Sequence, residues 1–190
     1  MFYMEFDPLL DKIYPLPPAS KQALKSLVRE VKYPKGHILL RADTVEKSMF
    51  FIKKGMVRAY STFPDGEVTF WFGKEGDAVI SMKSYVANQK GYEDIELLED
   101  CELYGLDIKP LQDLFNADIH ITNWGRKFAE GELIKTEERL ISRLFLTAME
   151  RYKELMINNP DLLQRVQLGH IASYLGITPV SLSRIRAQVK

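Results

Sequence analysis

Cysteine and histidine are scarce in this chain of 190 residues, which has one cysteine and three histidines. Because Cys101 has no second thiol in the chain, one copy cannot form an internal disulfide, an all-cysteine zinc site or an all-cysteine iron–sulfur cluster. A lone cysteine also favours a reducing compartment, so we expect a cytoplasmic protein.

Catalytic and cofactor motifs are lacking as well. The sequence has no Cys/His or Ser/His/Asp set at catalytic spacing and no glycine-rich phosphate loop, so we expect no enzymatic activity. His37 is the only histidine of the β-rich region described below, too few for the histidine-rich metal sites of some jelly rolls. We therefore predict no metal site.

Long apolar runs are missing too. Hydrophobic residues make up 46% of the sequence, enough for packed cores, but their runs are short and interrupted by charge. No segment reaches the roughly 20 apolar residues that a membrane helix needs. The first residues, MFYMEFDPLLDK, lack the basic start and apolar core of a signal peptide. We expect neither a membrane partner nor a cleaved leader.

The chain has no net charge, with 26 basic and 26 acidic residues. The total hides an asymmetry: residues 1–137 contain 18 Lys and Arg against 22 Asp and Glu (−4), whereas residues 138–190 contain 8 against 4 (+4). A basic segment favours nucleic acid. Because the excess is modest, we expect DNA binding to depend on two copies acting together.

The most informative pattern that is present begins at Gln167 and reads QLGHIASYLGITPVSLSRIRAQVK. It predicts two helices joined by a glycine turn, with Ile171, Leu175 and Leu182 among the apolar positions. The opposite face of the second helix is small and weakly polar. A helix-turn-helix inserts such a face into the DNA major groove. The alternative is an αα-hairpin that only packs a helical domain.

The turn between these helices has suitable chemistry at each position. Gly176 can take the positive φ that ends a helix sharply. Thr178 can cap the second helix, and Pro179 fits its first position, where no backbone hydrogen bond is lost.

The rest of the sequence changes from β-rich to helical. We predict a short helix over Ser20–Lys32, with Ser20 as its cap. The predicted strands are His37–Leu40, Ser48–Lys53, Val57–Thr62, Glu67–Phe72, Ile95–Leu98 and Glu102–Asp107, a spacing typical of an antiparallel sandwich or barrel. Helices are predicted from about Ile119 to beyond Glu132, and from about Glu137 to Ile157.

Three stretches together resemble the CRP/FNR superfamily of bacterial transcription regulators. They are IASYLGITPVSLSRIR, FFIKKGMVRAY (Phe50 to Tyr60) and GDAV (Gly76 to Val79). The resemblance implies an α+β fold: a cyclic nucleotide-binding-like β-roll with an N-terminal helix over residues 1–117, a central dimerisation helix over 118–137, and a helix-turn-helix domain over 138–190. Because the sequence ends at Lys190 without a β-wing, a compact subgroup is the expected match.

The resemblance also implies roles for residues of the helix pair. Pro179, Val180, Ser183 and Arg184 would face base edges, with Arg184 on a guanine and Val180 on a thymine methyl. Phosphate or sugar contacts would come from Gln167, His170, Thr178 and Ser181. A solvated or ion-paired Arg184 and an ordinary surface His170 are the alternatives.

In this family the long helix forms a parallel dimer interface, for which Ile121, Trp124, Phe128 and Ile134 are the candidates. The alternative is that these side chains pack against the protein's own β-roll.

The ligand cassette of the family corresponds to Ile80–Leu106. The candidate pocket residues are Ile80, Ser81, Met82, Tyr85, Gly91 and Tyr92. Ser81 stands where cyclic-nucleotide sensors have a ribose-binding Glu, and Gly91 and Tyr92 stand where they have an Arg-Ser pair that holds the phosphate. The next charged residues are acidic: Glu93, Asp94, Glu96, Glu99, Asp100 and Glu102. The standard cyclic-AMP contacts are therefore absent, unless Lys83 or Lys90 replaces the arginine.

The sequence thus predicts a homodimeric regulator that binds double-stranded DNA and responds to an unidentified effector, with RNA polymerase as a further partner in the family. One alternative is a small-molecule-binding module whose helical tail contacts only proteins. Another is a DNA-binding regulator that needs no ligand.

Overall fold

The structure, a computed structural model, describes residues 4–189. Its helices are α1 (Phe6–Ile13), α2 (Pro18–Ser26), α3 (Met82–Ala87), α4 (Ile108–Ala117), α5 (Ile119–Phe145), α6 (Ala148–Asn158), α7 (Leu162–Arg165), α8 (Leu168–Leu175) and α9 (Pro179–Gln188). Its strands are β1 (Arg29–Tyr33), β2 (Ile38–Leu40), β3 (Ser48–Lys54), β4 (Val57–Phe63), β5 (Gly66–Gly73), β6 (Ala78–Val79), β7 (Asp94–Leu97) and β8 (Cys101–Asp107).

The chain folds into two compact units. The first is formed by the chain up to Ala59 together with Phe72–Glu132, and the second by Tyr60–Trp71 and Leu133–Lys190. The strands form two four-stranded sheets in the orders β1-β8-β3-β6 and β2-β7-β4-β5. The pairs β1–β8, β2–β7, β3–β6 and β3–β8 are antiparallel, as the sequence predicts.

Strand β3 has both faces buried, which explains its uninterrupted apolar run. Phe51, Met49 and Ile52 are almost fully enclosed. Phe51 belongs to a cluster with residues of α1, α2 and the first half of α5. Its ring meets those of Trp124 and Phe128 edge-on, at centroid distances of 6.2 and 5.9 Å. These helices therefore cover one sheet of the β-roll with aromatic contacts.

Asp118 sets the beginning of α5. Its side chain accepts hydrogen bonds from the backbone N–H groups of His120 (2.8 Å) and Ile121 (3.4 Å), as helix-capping aspartates do. Ser20 donates a further hydrogen bond of 2.6 Å to the same carboxylate, and this bond lowers the pKa of Asp118. Ser20 is thus tied to the start of α5 and does not cap a helix of its own.

The helix predicted over Ser20–Lys32 is wrong in its second half. Helix α2 ends at Ser26, and residues from Arg29 form β1, which pairs with β8 in the register Val31↔Leu103. The tertiary pairing prevailed here because residues 29–33 also alternate as in a strand, with Val31 and Tyr33 half-buried and Glu30 and Lys32 exposed, and an unpaired β8 edge would leave backbone groups unsatisfied.

The boundary between α5 and α6 also differs from the prediction. Helix α5 continues to Phe145, and α6 begins after Thr147, whose side chain and that of Glu150 form a capping box. Such a box satisfies two backbone N–H groups at a helix start. The predicted helix from Glu137 to Ile157 is therefore the end of one helix followed by a second.

The second unit has a small helical core. Its buried side chains come from α6 to α9: Tyr152, Leu155, Leu162, Val166, Ile171, Ala172, Leu175 and Leu182. Within residues 4–189, no helix is long and apolar enough to cross a membrane.

Candidate DNA-recognition helix pair and ligand cassette

The helix pair at the C-terminal end of the chain has the predicted geometry. Helix α8 ends at Gly176, which adopts φ +68°, and the N–H of Ile177 returns to the carbonyl of Ala172 at 3.0 Å. This is the Schellman closure that a left-handed glycine permits. Thr178 caps α9 by accepting a hydrogen bond of 3.2 Å from the Ser181 N–H, and Pro179 occupies the first helical position.

The two faces of α9 differ in exposure. Leu182 is buried against α8, while Val180 is 62% exposed. Ser183 and Arg184 are also exposed. The predicted base-contacting side chains thus share one open face, which is small, weakly polar and carries one guanidinium group. A surface of this kind can approach base edges closely and place one bidentate donor there.

The predicted backbone-contacting residues lie around the helix starts. Gln167 precedes α8 and Thr178 precedes α9, and both are exposed. His170 and Ser181 are half-buried in the first turns of the two helices. Helix N-termini direct unpaired backbone N–H groups outward, which suits phosphate oxygens.

The predicted dimer residues separate into two groups. Ile121 and Trp124 are buried in the core of the first unit, where Trp124 is 2% exposed and donates a hydrogen bond of 3.1 Å to the Leu10 carbonyl. Phe128 is half-buried and stacks on Trp124 at 6.0 Å. These three follow the alternative of packing against the protein's own fold, so the four-residue dimer seam needs correction. Ile134 is exposed.

The second half of α5 carries the exposed apolar side chains instead. Leu133, Leu140 and Leu144 form one row, and Ile134, Ile141 and Phe145 form the next. Leu144, for example, is 67% exposed. We call these six residues the α5 stripe. Of these six, only Ile134 is among the dimer residues predicted from the sequence, because helical spacing by itself does not show whether an apolar face packs within its own chain.

The six candidate pocket residues of the ligand cassette differ in exposure. Met82 and Tyr92 are exposed, Ser81 and Gly91 are buried, and Ile80 and Tyr85 are half-buried. Burial raises the pKa of Tyr85. Burial, followed by the negative charge of Glu93, raises that of Tyr92.

The centre of the cassette is tightly packed around Gly91. A Cβ atom at this position would lie 2.6 Å from Ser81 Oγ and 3.2 Å from Glu93 Oε1. The backbone of Gly91 is held by hydrogen bonds with Thr44 (3.1 Å) and Asp43 (3.0 Å). An arginine side chain, which cyclic-nucleotide sensors use here, would have no room without rearrangement.

Two buried polar groups face this point. Ser81 is 3% exposed and its Oγ lacks a hydrogen-bond partner among the described residues. Glu93 is 5% exposed and accepts a hydrogen bond of 2.9 Å from the Tyr92 N–H. A buried carboxylate repels an anionic phosphate.

The acidic residues after Glu93 are largely engaged within the fold. Asp94 accepts from the Ala42 N–H at 3.0 Å, Asp100 from the Lys35 N–H at 2.9 Å, and Glu96 pairs with the buried Arg58 at 2.8 Å. These carboxylates stabilise loop and strand contacts. The ammonium group of Lys83 lies over the exposed Tyr92 ring at 5.3 Å.

The described residues also form two surface depressions, which are lined by other side chains. One of about 340 Å³ is lined by residues including Lys32, Lys54 and Cys101, and one of about 500 Å³ by residues including Glu5 and Lys25. Neither is lined by any of the six candidate pocket residues. Over residues 4–189, no three His, Cys, Asp or Glu side chains gather as a metal site.

Comparison with known proteins concerns the β-roll and the fold. Residues 30–118 match the family model of the cyclic nucleotide-binding domain. The fold matches FixK2 from Bradyrhizobium japonicum at a TM-score of 0.70 and 21% identity, over 85% of this chain and 84% of that one. It also matches a protein described as a transcriptional regulator of the CRP/FNR family from Eubacterium rectale, at 0.72 and 15%, over 92% and 85%.

The chain has the fold of the CRP/FNR regulators. The fold class and the resemblance predicted from the sequence are confirmed at this level. A third match is the regulator CLP of Xanthomonas campestris, described as responsive to c-di-GMP, at a TM-score of 0.64 and 14% identity over 91% of each chain. No curated protein matches the sequence.

Proposed function

We propose that this protein is a homodimeric transcription regulator that binds double-stranded DNA through α8 and α9. The observation that carries the proposal is the exposed face of α9, where Val180, Ser183 and Arg184 lie together on a helix whose start is capped by Thr178. Pro179 joins them as a base-edge residue, while Gln167, His170 and Ser181 contact the phosphate backbone. The protein is not an enzyme and acts in the cytoplasm.

DNA binding is tested first on the promoter region upstream of the protein's own coding sequence. We expect specific retention in a mobility-shift assay, with an affinity that falls about a thousandfold or more between about 50 and about 200 mM salt if two copies together contact six or more phosphates. A shuffled DNA of the same length is the control. Equal affinity for both DNAs would favour a tail that contacts only proteins.

The α5 stripe supports dimerisation. It places six exposed apolar side chains on adjacent rows of one helix, and a second copy of the same stripe is a partner of matching shape and polarity. The exposed Glu137 lies on the same helix face as the α5 stripe, four residues after Leu133 and three before Leu140.

The dimer is tested by Leu144→Glu. We expect sedimentation to show a monomer and DNA affinity to fall about a hundredfold, because a dimer binds two half-sites at once. Ile157→Glu is a matched control, since Ile157 lies on α6 and is 77% exposed against 67% for Leu144. A wild-type chain that is monomeric at micromolar concentration would remove the dimer from the proposal.

The effector is not cyclic AMP in this proposal. Two observations support this: Ser81 and Glu93 pack closely around Gly91, where the arginine is expected, and the buried Glu93 would oppose the charge of a cyclic phosphate. The same packing favours a second candidate, a regulator whose β-roll serves as a ligand-independent scaffold. Calorimetry with cyclic AMP and cyclic GMP is expected to show no binding. Tight binding of either nucleotide would contradict the proposal.

A further inference from the structure

The tip of the β4–β5 hairpin belongs to the same compact unit as the helix pair. That unit contains Tyr60–Trp71 as well as Leu133–Lys190. Strand β5 is the last strand of its sheet, so one side of its backbone is not paired by another strand. Glu67 and Thr69 are two residues apart, and in a strand such residues direct their backbone groups to the same side.

Ser173 of α8 meets both of these backbone groups. Its Oγ accepts a hydrogen bond of 2.9 Å from the Thr69 N–H and donates one of 3.1 Å to the Glu67 carbonyl. A hydroxyl can do both at once. Thr69 is fully buried, so its N–H is withdrawn from water and needs an acceptor within the protein, which Ser173 supplies. One serine thus connects the hairpin edge to the first helix of the pair.

Other side chains hold the same end of α8. Arg143 of α5 donates to the Tyr174 carbonyl at 2.9 Å, and Arg151 of α6 donates to the Leu175 carbonyl at 2.8 Å. Cationic groups at a helix C-terminus also interact favourably with the helix dipole. Gly176 follows directly and leads into α9. The end of α8 that determines where α9 begins is therefore fixed by the hairpin, α5 and α6.

We propose that Ser173 is a positioning residue for DNA recognition, which makes the β4–β5 hairpin a structural part of the recognition unit. By holding α8 against the hairpin, Ser173 preorganises α9 for the major groove, and preorganisation lowers the cost of binding. Strands β4 and β5 continue into the β-roll. A conformational change in the β-roll can therefore be transmitted along these strands to the hairpin, and through Ser173 to α8 and α9. This inference rests on the proposed function.

The first measurement needs no DNA. Amide hydrogen exchange of Thr69 is compared between the wild type, Ser173→Ala and Ser142→Ala. Ser142 is the matched control, because its hydroxyl donates a hydrogen bond of 2.7 Å to Glu154 of α6 in the same unit. We expect Thr69 exchange to accelerate about tenfold in Ser173→Ala only, which corresponds to the loss of one hydrogen bond. Unchanged exchange in Ser173→Ala would overturn the inference.

The second measurement is DNA affinity. Ser173→Ala is expected to weaken specific binding about three- to tenfold, while Ser142→Ala stays near the wild type and Ser173→Thr, which keeps the hydroxyl, restores most of the affinity. Thr69→Pro removes the N–H donor of the same hydrogen bond. The double variant Ser173→Ala/Thr69→Pro should therefore bind DNA no more weakly than the weaker-binding single variant. If Thr69→Pro does not fold, the Ser173 series still decides.

Two outcomes distinguish this inference from the proposed function. Faster Thr69 exchange with unchanged or tighter DNA binding in Ser173→Ala overturns the positioning role alone. A wild-type chain that binds no DNA specifically overturns the proposed function and the positioning role with it.

Discussion

The helix pair and the ligand cassette use polar side chains in opposite ways. On α9, Ser183 and Arg184 are exposed, and the capping bond of Thr178 stays within the helix start. In the cassette, Ser81 and Glu93 are buried around Gly91 and leave no room for a side chain there. A binding surface must leave its hydrogen-bonding groups free for the partner. The helix pair does so, whereas the cassette has enclosed its own.

The largest expected effect of a single substitution in this comparison is at Arg184. Arg184→Ala should cost about 1–3 kcal/mol of specific binding and relax the preference at one base pair, because a bidentate contact to guanine is lost. Selection of binding sites from a randomised DNA pool measures both effects.

Arg186→Ala is the control for this prediction, since Arg186 is exposed in the last turn of α9. It should weaken binding to all sequences about equally, as a phosphate contact does. An unchanged base preference for Arg184→Ala would remove Arg184 from the recognition face.

The next effect tests the closed cassette. Gly91→Ala should destabilise the fold by about 1–3 kcal/mol in urea unfolding, because the new Cβ overpacks a filled site. The preferred DNA sequence should not change. Gly131→Ala is the matched control: its Cβ would meet nothing within 4 Å, and alanine in a helix interior stabilises by about 0.5–1 kcal/mol. A Gly91→Ala chain as stable as the wild type would mean that the cassette is open.

A somewhat smaller effect is expected at the start of α9. Thr178→Ala should cost about 0.5–2 kcal/mol of stability, since the Ser181 N–H loses its acceptor. Thr178→Ser keeps the hydroxyl and should cost little. Urea unfolding gives the free energies, and the exchange rate of the Ser181 amide reports the cap directly. Equal protection of that amide in all three chains would contradict the assigned cap.

The smallest effect concerns Cys101, the first residue of β8. Burial raises the pKa of its thiol from an ordinary value near 9 to about 11. Folding therefore favours the neutral thiol. This contribution to stability is present below about pH 9 and is lost as the pH rises through about 11.

The free energy of unfolding of the wild type should thus fall relative to that of Cys101→Ala over this range. The tyrosines with raised pKa values are common to both chains and cancel in the difference. Parallel curves for the two chains would contradict the assignment.

Local chemistry made the helix pair predictable. Gly176, Thr178 and Pro179 each favour one backbone conformation at their position, whatever surrounds them, and α8 ends and α9 begins where these residues indicate. Six of the eight strands within residues 4–189 were located for a similar reason, since turn residues separate the apolar runs. By contrast, β1 was mistaken for helix because its identity depends on pairing with β8.

The sequence alone determined the fold class and the turn between α8 and α9 with its glycine and its threonine cap, because these follow from backbone preferences and residue identities. The tertiary structure alone decided which apolar faces are free. It buried Ile121 and Trp124 in the core and left Leu144 exposed, although all three have helical spacing. It also brought Ser173 to Thr69, residues distant in the sequence, because an edge strand needs partners that only folding can supply.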